Sequence, residues 1–412
     1  MQFMLNKDQI PKLISGLLIA SAIALPFNLS IAIICWGVIA FFRIIIPEER
    51  RTIFFKFKTE KLLIWLPALY LLHIVALLWT ENFKYAGLDL QIKMTMLLLP
   101  VFIGTLSKPK LILDKVMAGF VAGNVLSLIY LLSIATIHYT HNSDVLQFFY
   151  GELCSPLMHP TYLGMYVNFS ILCVLYFLRV STPGATTIYL SVLLFFLFVM
   201  ETLISARTAQ ICTLVTVIIY FIYLLKTNSF TQQKTTILSA VLILTLFTYF
   251  GLSRLNNRYA QVEQAIEQNN STSTQRFNST TGRLEIWKES VELIKTNWLF
   301  GTGTGDVKDE LVKLYHAHNF NYGYEKALNS HNEFLQIWIA LGLIGLIIFI
   351  GVFLHPILNY ANYESLLFPL FLLIIGLNAL TESILEVQRG VLFFTFFYSL
   401  ILLNGRKDKS SQ

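Results

Sequence analysis

Apolar runs close to membrane-crossing length recur from one end of this 412-residue chain to the other. Crossing a hydrocarbon core takes about 17–20 helical residues. Runs near that length fall at 11–27, 29–46, 62–79, 92–106, 116–137, 161–178, 186–204, 208–225, 236–252, 333–354, 365–380 and 390–404. They predict about 12 spans, with the fourth, eleventh and twelfth short. Backbone groups in lipid must be satisfied internally, and no ten-residue alternating pattern of a barrel strand appears, so the spans are expected to be helices. The fold class expected is an all-α polytopic membrane protein.

Two external connections depart from the otherwise short loops. The first, about 138–160, contains no Lys or Arg. The second, about 253–332, is far longer than an ordinary connection, and such loops tend to carry function. The chain therefore divides into spans one to nine (1–252), a large external loop (253–332), and the last three spans with a tail (333–412). Inside the loop, 256–268 is polar with a few apolar positions at helical spacing, and 271–281 is a Ser/Thr/Asn stretch expected to be flexible. A helix is predicted from about Gly282 to Thr296, with Leu284, Trp287, Val291 and Ile294 on one face at 3-4-3 spacing. The turn Phe300-Gly301-Thr302-Gly303-Thr304-Gly305-Asp306 closes that unit. A second amphipathic helix from Val307 to about Tyr315 follows, then a Tyr/Asn-rich connector running to His331.

Composition narrows the class. Hydrophobic residues make up 55% of the chain and charged residues 13%, against about 45–50% and about 25% in soluble proteins. The net charge of +6 reads as topology, with no nucleic acid implied. Seventeen Lys and Arg residues lie at the termini and on the loops that follow even-numbered spans, against four (Lys84, Lys93, Arg207, Arg389) on the opposite short loops. By the positive-inside rule both termini are expected in the cytoplasm. The first apolar run lacks a small-residue cleavage site and is followed at once by another span, so it is expected to be a retained helix. Cys35, Cys173 and Cys212 fall in spans and Cys154 stands alone in an external loop, so no disulfide framework is expected. No Cys/His spacing suggests a metal site, and no cofactor is expected.

The candidate chemistry lies on the external side. His331-Asn332 stands at the mouth of the tenth span, with Gly342 and Gly345 further along it. A histidine there can exchange a proton near neutral pH, and the glycines would let a neighbouring helix approach closely. Arg207 lies at the outer end of the eighth span, where an ionisable residue is costly and marks function. Arg283 begins the loop helix one turn before Trp287, sharing its face. Arginine suits phosphate because its planar fork donates two parallel hydrogen bonds. Arg389 is a third cation, able to pair with Glu382 or with substrate. His159-Pro160, at the mouth of the sixth span, and Asn332 and Trp287 are further candidates to line a cavity. Gly301-Thr302-Gly303-Thr304-Gly305 lacks the Gly-Lys-Ser/Thr ending of a phosphate loop and reads as a tight turn.

The stretch Arg283, Trp287, Phe300-Gly301-Thr302-Gly303, His331-Asn332, Gly342 and Gly345 resembles the signature region of the O-antigen ligase and polymerase superfamily. Arg207 resembles that family's arginine at the outer end of a mid-chain span, with Ile211 where Leu is usual; Leu346 stands where ligases often have Thr or Val. The resemblance implies a GT-C-like glycosyltransferase of the bacterial inner membrane with its active site facing the periplasm. Its donor would be a glycan on undecaprenyl pyrophosphate and its acceptor a hydroxyl of lipid A–core oligosaccharide. His331 would be the general base and Arg207 and Arg283 would hold the pyrophosphate, without a metal, with Arg389 a third candidate cation for it. A polymerase or a protein O-oligosaccharyltransferase would share this donor chemistry. A transporter or flippase is a reading from a different class, expected to show repeated halves and helices broken at the midplane.

Overall fold

The computed structural model describes residues 9–106, 110–182, 184–226, 279–359 and 366–404. Among these residues it is helical, with no strand. Six helices are long and apolar enough to cross a membrane, or seven if one sharply bent pair counts as a span. Three shorter apolar helices add to these, fewer long spans than the twelve runs predict. The ninth predicted span and the loop segment before residue 279 lie outside the described residues.

The chain forms two compact units, Met1–Asn124 with Gly282–Gln412, and Val125–Thr281. In the first, α1 (Gln9–Ala24) packs on α2 (Leu29–Ile45), where Trp36 Nε1 donates to Ser21 Oγ at 3.1 Å. The chain then turns by 98° into α3 (Pro47–Thr59). Pro47 begins α3, and the buried Arg43 clamps the corner: its guanidinium reaches Glu49 at 3.0 Å, Phe102 O at 2.6 Å and Thr105 Oγ1 at 2.8 Å. A residue counted as a cytoplasmic surface charge is thus a buried structural clamp.

The apolar stretch Lys61–Trp79 is centred on α4 (Trp65–Val75). The predicted fourth span, 92–106, is interrupted. Its place is taken by α5 (Phe83–Lys93) and α6 (Thr95–Phe102). Eight residues of helix rise about 12 Å, well short of a bilayer core. The reason is ionic: Lys93, at the end of α5, is enclosed by Asp89 and by Glu386 at 2.6 Å, and Pro100 lies within α6. Burial raises the Asp89 carboxyl above its usual range. The long α7 (Lys110–Asn142) leaves this unit past Gly119 and Gly123, where a side chain at Gly123 would strike the backbone of Ile23.

In the second unit, α8 (Tyr150–Cys154) precedes α9 (Pro160–Val180), which is buried nearly all round. It packs with α10 (Ala185–Ile204) and α11 (Arg207–Lys226). On α10, Ile188, Val192, Phe195 and Val199 are exposed at 4-3-4 spacing, the arrangement of a lipid-facing stripe. Burial, reinforced by the Glu201 carboxylate, pushes the Cys154 thiol up to about 12, so this cysteine is not a reactive nucleophile.

The loop forms α12 (Ser279–Thr296), α13 (Val307–Ala317) and α14 (Asn321–Lys326). The last apolar helices are α15 (Glu333–Leu358), α16 (Leu367–Ala379) and α17 (Gln388–Asn404). Both predicted loop helices form, but α12 buries a different face from the one expected. Ile286, Glu289, Ser290, Leu293 and Ile294 are inside, whereas Leu284 and Val291 are exposed. A polar residue at 289 hides that stripe from an apolar count, although one of its oxygens pairs with His318.

Candidate active site

His331 sits in a backbone conformation set by its neighbours. Its φ is +44°, a left-handed region in which histidine is enriched among non-glycine residues, and its N–H donates to Asn329 Oδ1 at 3.1 Å. Asn332 caps α15, its side chain accepting from Phe334 N at 3.0 Å and Leu335 N at 3.2 Å. Such a cap satisfies two of the orphan donors at a helix start. Asn332 therefore caps the helix, its side-chain oxygen serving the first backbone donors.

Across from His331 lies Glu382. Its Oε1 is 3.3 Å from His331 Nδ1, at ion-pair distance without the alignment of a hydrogen bond. His331 Nδ1 is closed to solvent, yet the side chain as a whole is 26% exposed, against 10% for Glu382. The carboxylate thus backs the ring while part of the ring stays open to a ligand. The sequence offered Glu382 to Arg389 or to substrate; the structure sets it beside His331.

The segment carrying Glu382 is held from beneath. Ser330 Oγ donates to Gln336 Oε1 at 2.9 Å and lies 3.2 Å from Ser383 Oγ. The buried Glu333 accepts from Leu385 N at 2.8 Å. Lys93 reaches Glu386 one residue further on. The His331 turn and the 382–386 turn are therefore tied together through two links, and Lys93 holds the second turn from α5; the sequence exposed none of these. Buried charges survive when paired, and here that pairing fixes where Glu382 stands.

The glycine pattern has an unexpected role. α15 is broken at Gly342 (φ +66°, ψ −164°). The loop segment 298–303 docks into the break: Thr302 N donates to Ile339 O at 2.7 Å, Gly303 N to Ala340 O at 3.1 Å, and Leu343 N to Trp298 O at 2.9 Å. A Cβ at Gly342 would lie 2.1 Å from Leu299 O, and one at Gly301 would lie 2.5 Å from the Ala340 backbone. Gly342 thus admits a loop backbone, where a neighbouring helix was expected, and Gly345 faces its own Leu341. The glycine-threonine turn is locked on its other sides too. Thr304 Oγ1 donates to His73 O at 2.8 Å, and Asp306 accepts from Glu81 N at 2.8 Å and Asn82 N at 2.7 Å. It is a structural turn, as its lack of a lysine indicates.

The arginines are differently placed. Arg283, in the second turn of α12, is partly exposed and makes no hydrogen bond or ion pair among the described residues. Trp287, one turn on, encloses its indole N–H without a partner. Arg389 is partly buried at the start of α17 and directs Nη1 toward Pro26 O at 3.5 Å. Arg207 and His159 belong to the second unit. Arg207 is exposed at the first residue of α11, again unpartnered among the described residues. His159 is the N-cap of α9, its ring nitrogen accepting from Thr161 N at 3.3 Å, a structural use of the histidine.

Residues 164–350 match the O-antigen ligase family model. The chain carries an O-antigen ligase family domain. The matched segment takes in Arg207, Arg283, His331 and the Gly342 break, and ends before Glu382 and Arg389. The O-antigen ligase domain places the chain with the ligase and polymerase superfamily, the one that its sequence resembles, and supports a multi-pass membrane protein of glycosyltransferase type. No curated protein matches the chain.

Proposed function

We propose that this O-antigen ligase domain protein is the ligase itself, transferring a glycan from undecaprenyl pyrophosphate to a hydroxyl of lipid A–core oligosaccharide at the periplasmic face of a bacterial inner membrane. The observation that carries the reading is the His331–Glu382 pair at the mouth of α15. A carboxylate beside Nδ1 favours the tautomer that keeps its proton there and leaves Nε2 as the base. The acceptor hydroxyl gives its proton to Nε2 as its oxygen attacks the anomeric carbon. The bond from that carbon to the pyrophosphate oxygen breaks, and the electron pair leaves with the pyrophosphate. A single displacement inverts the anomeric centre. Arg207, Arg283 and Arg389 are assigned to the pyrophosphate, where arginine would offset charge growing on the leaving group. Two of the three have no partner among the described residues, as an anion-binding group awaiting its ligand would.

A transporter reading draws on the broken helix. The carbonyls freed at the Gly342 break, Ile339 O and Ala340 O, are already taken by Thr302 and Gly303, so they are not available to coordinate an ion as in unwound transporter helices. The deciding experiment is the electrophoretic profile of lipopolysaccharide and carrier-linked glycan in a deletion strain complemented with wild type or His331→Ala. Core-only lipopolysaccharide with accumulated carrier-linked polymer establishes the ligase. Core capped by a single repeat unit makes the protein a polymerase, and loss of glycan from proteins alone makes it a protein glycosyltransferase. Full complementation by His331→Ala removes the proposed base.

A further inference from the structure

The loop holds a second cluster built from other elements. Glu289 and Glu292 stand one turn apart on α12, and His318 is the C-cap of α13. His318 Nδ1 lies 2.6 Å from Glu289 Oε2, and His318 Nε2 lies 3.7 Å from Glu292 Oε1. One ligand atom from each of the three side chains falls within 4.8 Å of the other two.

Ordinary ion pairing leaves part of this arrangement unexplained. Glu289 is fully buried, and its second oxygen, Oε1, has no hydrogen-bond partner among the described residues. Two carboxylates one helical turn apart repel each other, and a protonated His318 would still leave the group with one negative charge in excess. The hydroxyl of Tyr315, buried and also unpartnered among the described residues, lies within electrostatic reach of Glu289. A cation would satisfy all of these groups at once.

We propose that Glu289, Glu292 and His318 bind one zinc ion, which pins α12 to the connector leading to His331. Zinc takes imidazole and carboxylate ligands at about 2.0–2.2 Å, so its ligand atoms stand about 3.3 Å apart. His318 meets the two carboxylates with different ring nitrogens, 2.6 Å from Glu289 and 3.7 Å from Glu292; zinc takes one of them, so the ring turns and the contact with Glu289 opens to that spacing. Calcium takes six to eight oxygens and copper(I) prefers sulfur; a set of one imidazole and two carboxylates fits neither. The role is structural. Arg283 and the cluster share α12, and His318 is on the segment that ends at His331, so the ion fixes the base of the loop without joining the transfer chemistry.

The test uses full-length protein without a histidine tag, purified in detergent, stripped with chelator and then supplied with zinc chloride alone. Wild type should retain about one zinc per chain after desalting and unfold at a higher temperature when loaded, as binding to the folded state requires. Glu292→Gln and His318→Ala should lose both effects, and Glu292→Gln should unfold like metal-free wild type, because its side chain is 50% exposed. Calcium chloride should produce no shift. Retention of zinc equally by wild type and by Glu292→Gln would mark an adventitious ion only. No retained zinc in wild type would overturn the site and leave a plain ion-pair clamp. If His318→Ala fails to fold, Glu292→Gln decides alone.

Discussion

Gly342→Ala tests the lock between the loop and α15. The position has φ +66° and ψ −164°, a conformation that costs a residue with a side chain about 1–3 kcal/mol. The new Cβ would also lie 2.1 Å from Leu299 O and 2.5 Å from Phe300 N, both backbone atoms. The segment 298–303 must then withdraw, giving up its three backbone hydrogen bonds to α15 at about 1 kcal/mol each. The sum is roughly 4–6 kcal/mol, which is large for a single methyl group. At roughly 2 °C per kcal/mol in a large chain, the midpoint of thermal unfolding in detergent should fall by on the order of 10 °C. Glycan transfer should fall with it, because the displaced segment helps to hold the half-helix that begins beside His331. Gly37→Ala is the control: its Cβ would meet nothing within 4 Å, and alanine is the better helix former by about 1 kcal/mol. A Gly342→Ala protein that unfolds at the wild-type temperature and transfers glycan normally would refute the lock.

Other substitutions address the site and its supports. Glu382→Gln should lower the transfer rate about a hundredfold while leaving protein yield and donor KM unchanged; a fall in yield alone would make Glu382 structural. Arg283→Lys and Arg207→Lys keep the charge and lose the fork, so in a purified transfer assay each should raise the donor KM or lower kcat; wild-type kinetics would count against a pyrophosphate role. Lys93→Met leaves Asp89 and Glu386 buried without their cation, which should cost about 3–5 kcal/mol, read by thermal unfolding; a wild-type midpoint would show that the cluster does not support the 382–386 turn. Asp306→Ala frees two backbone donors, Glu81 N and Asn82 N, and should lower stability by about 2 kcal/mol, measured in the same way.

Much of the outline was legible because hydropathy and capping act locally. The positions of several spans, both loop helices and the turn reading of 301–305 follow from periodicity and glycine content, and α13 begins at Val307 as expected. What failed to show was long-range pairing. Lys93 looked like a loop charge because its partner Glu386 is 293 positions away, and with that pairing hidden the segment 92–106 passed for a span. Glu382 looked free for Arg389 because nothing local ties it to His331, 51 positions earlier. On α12 the apolar count chose Leu284 and Val291 over the stripe that contains Glu289, since a pattern of side-chain types cannot register that His318 pairs with one oxygen of the carboxylate. His159 and Asn332, candidates to line a cavity, also stand before helices, where Ser, Thr, Asn and similar acceptors most often serve the backbone. Both do so here.

The break at Gly342 and the cap at Asn332 act on the same short stretch. Residues 333–341 form a half-helix whose first turn is closed by Asn332 and whose last carbonyls are held by Thr302 and Gly303. Capped at one end and bonded to a loop at the other, this stub resists sliding along its axis or rotating about it, which would carry His331 away from Glu382. A general base needs placement to within a fraction of an ångström, and a histidine in a left-handed turn before a membrane helix has little intrinsic rigidity. The long loop supplies it. The same segment that follows α12, and so follows Arg283, reaches back to hold the helix that follows His331. The spacing from His331-Asn332 to Gly342 therefore has a mechanical reason: it is the length of helix that can be gripped at both ends by structure around the His331 turn.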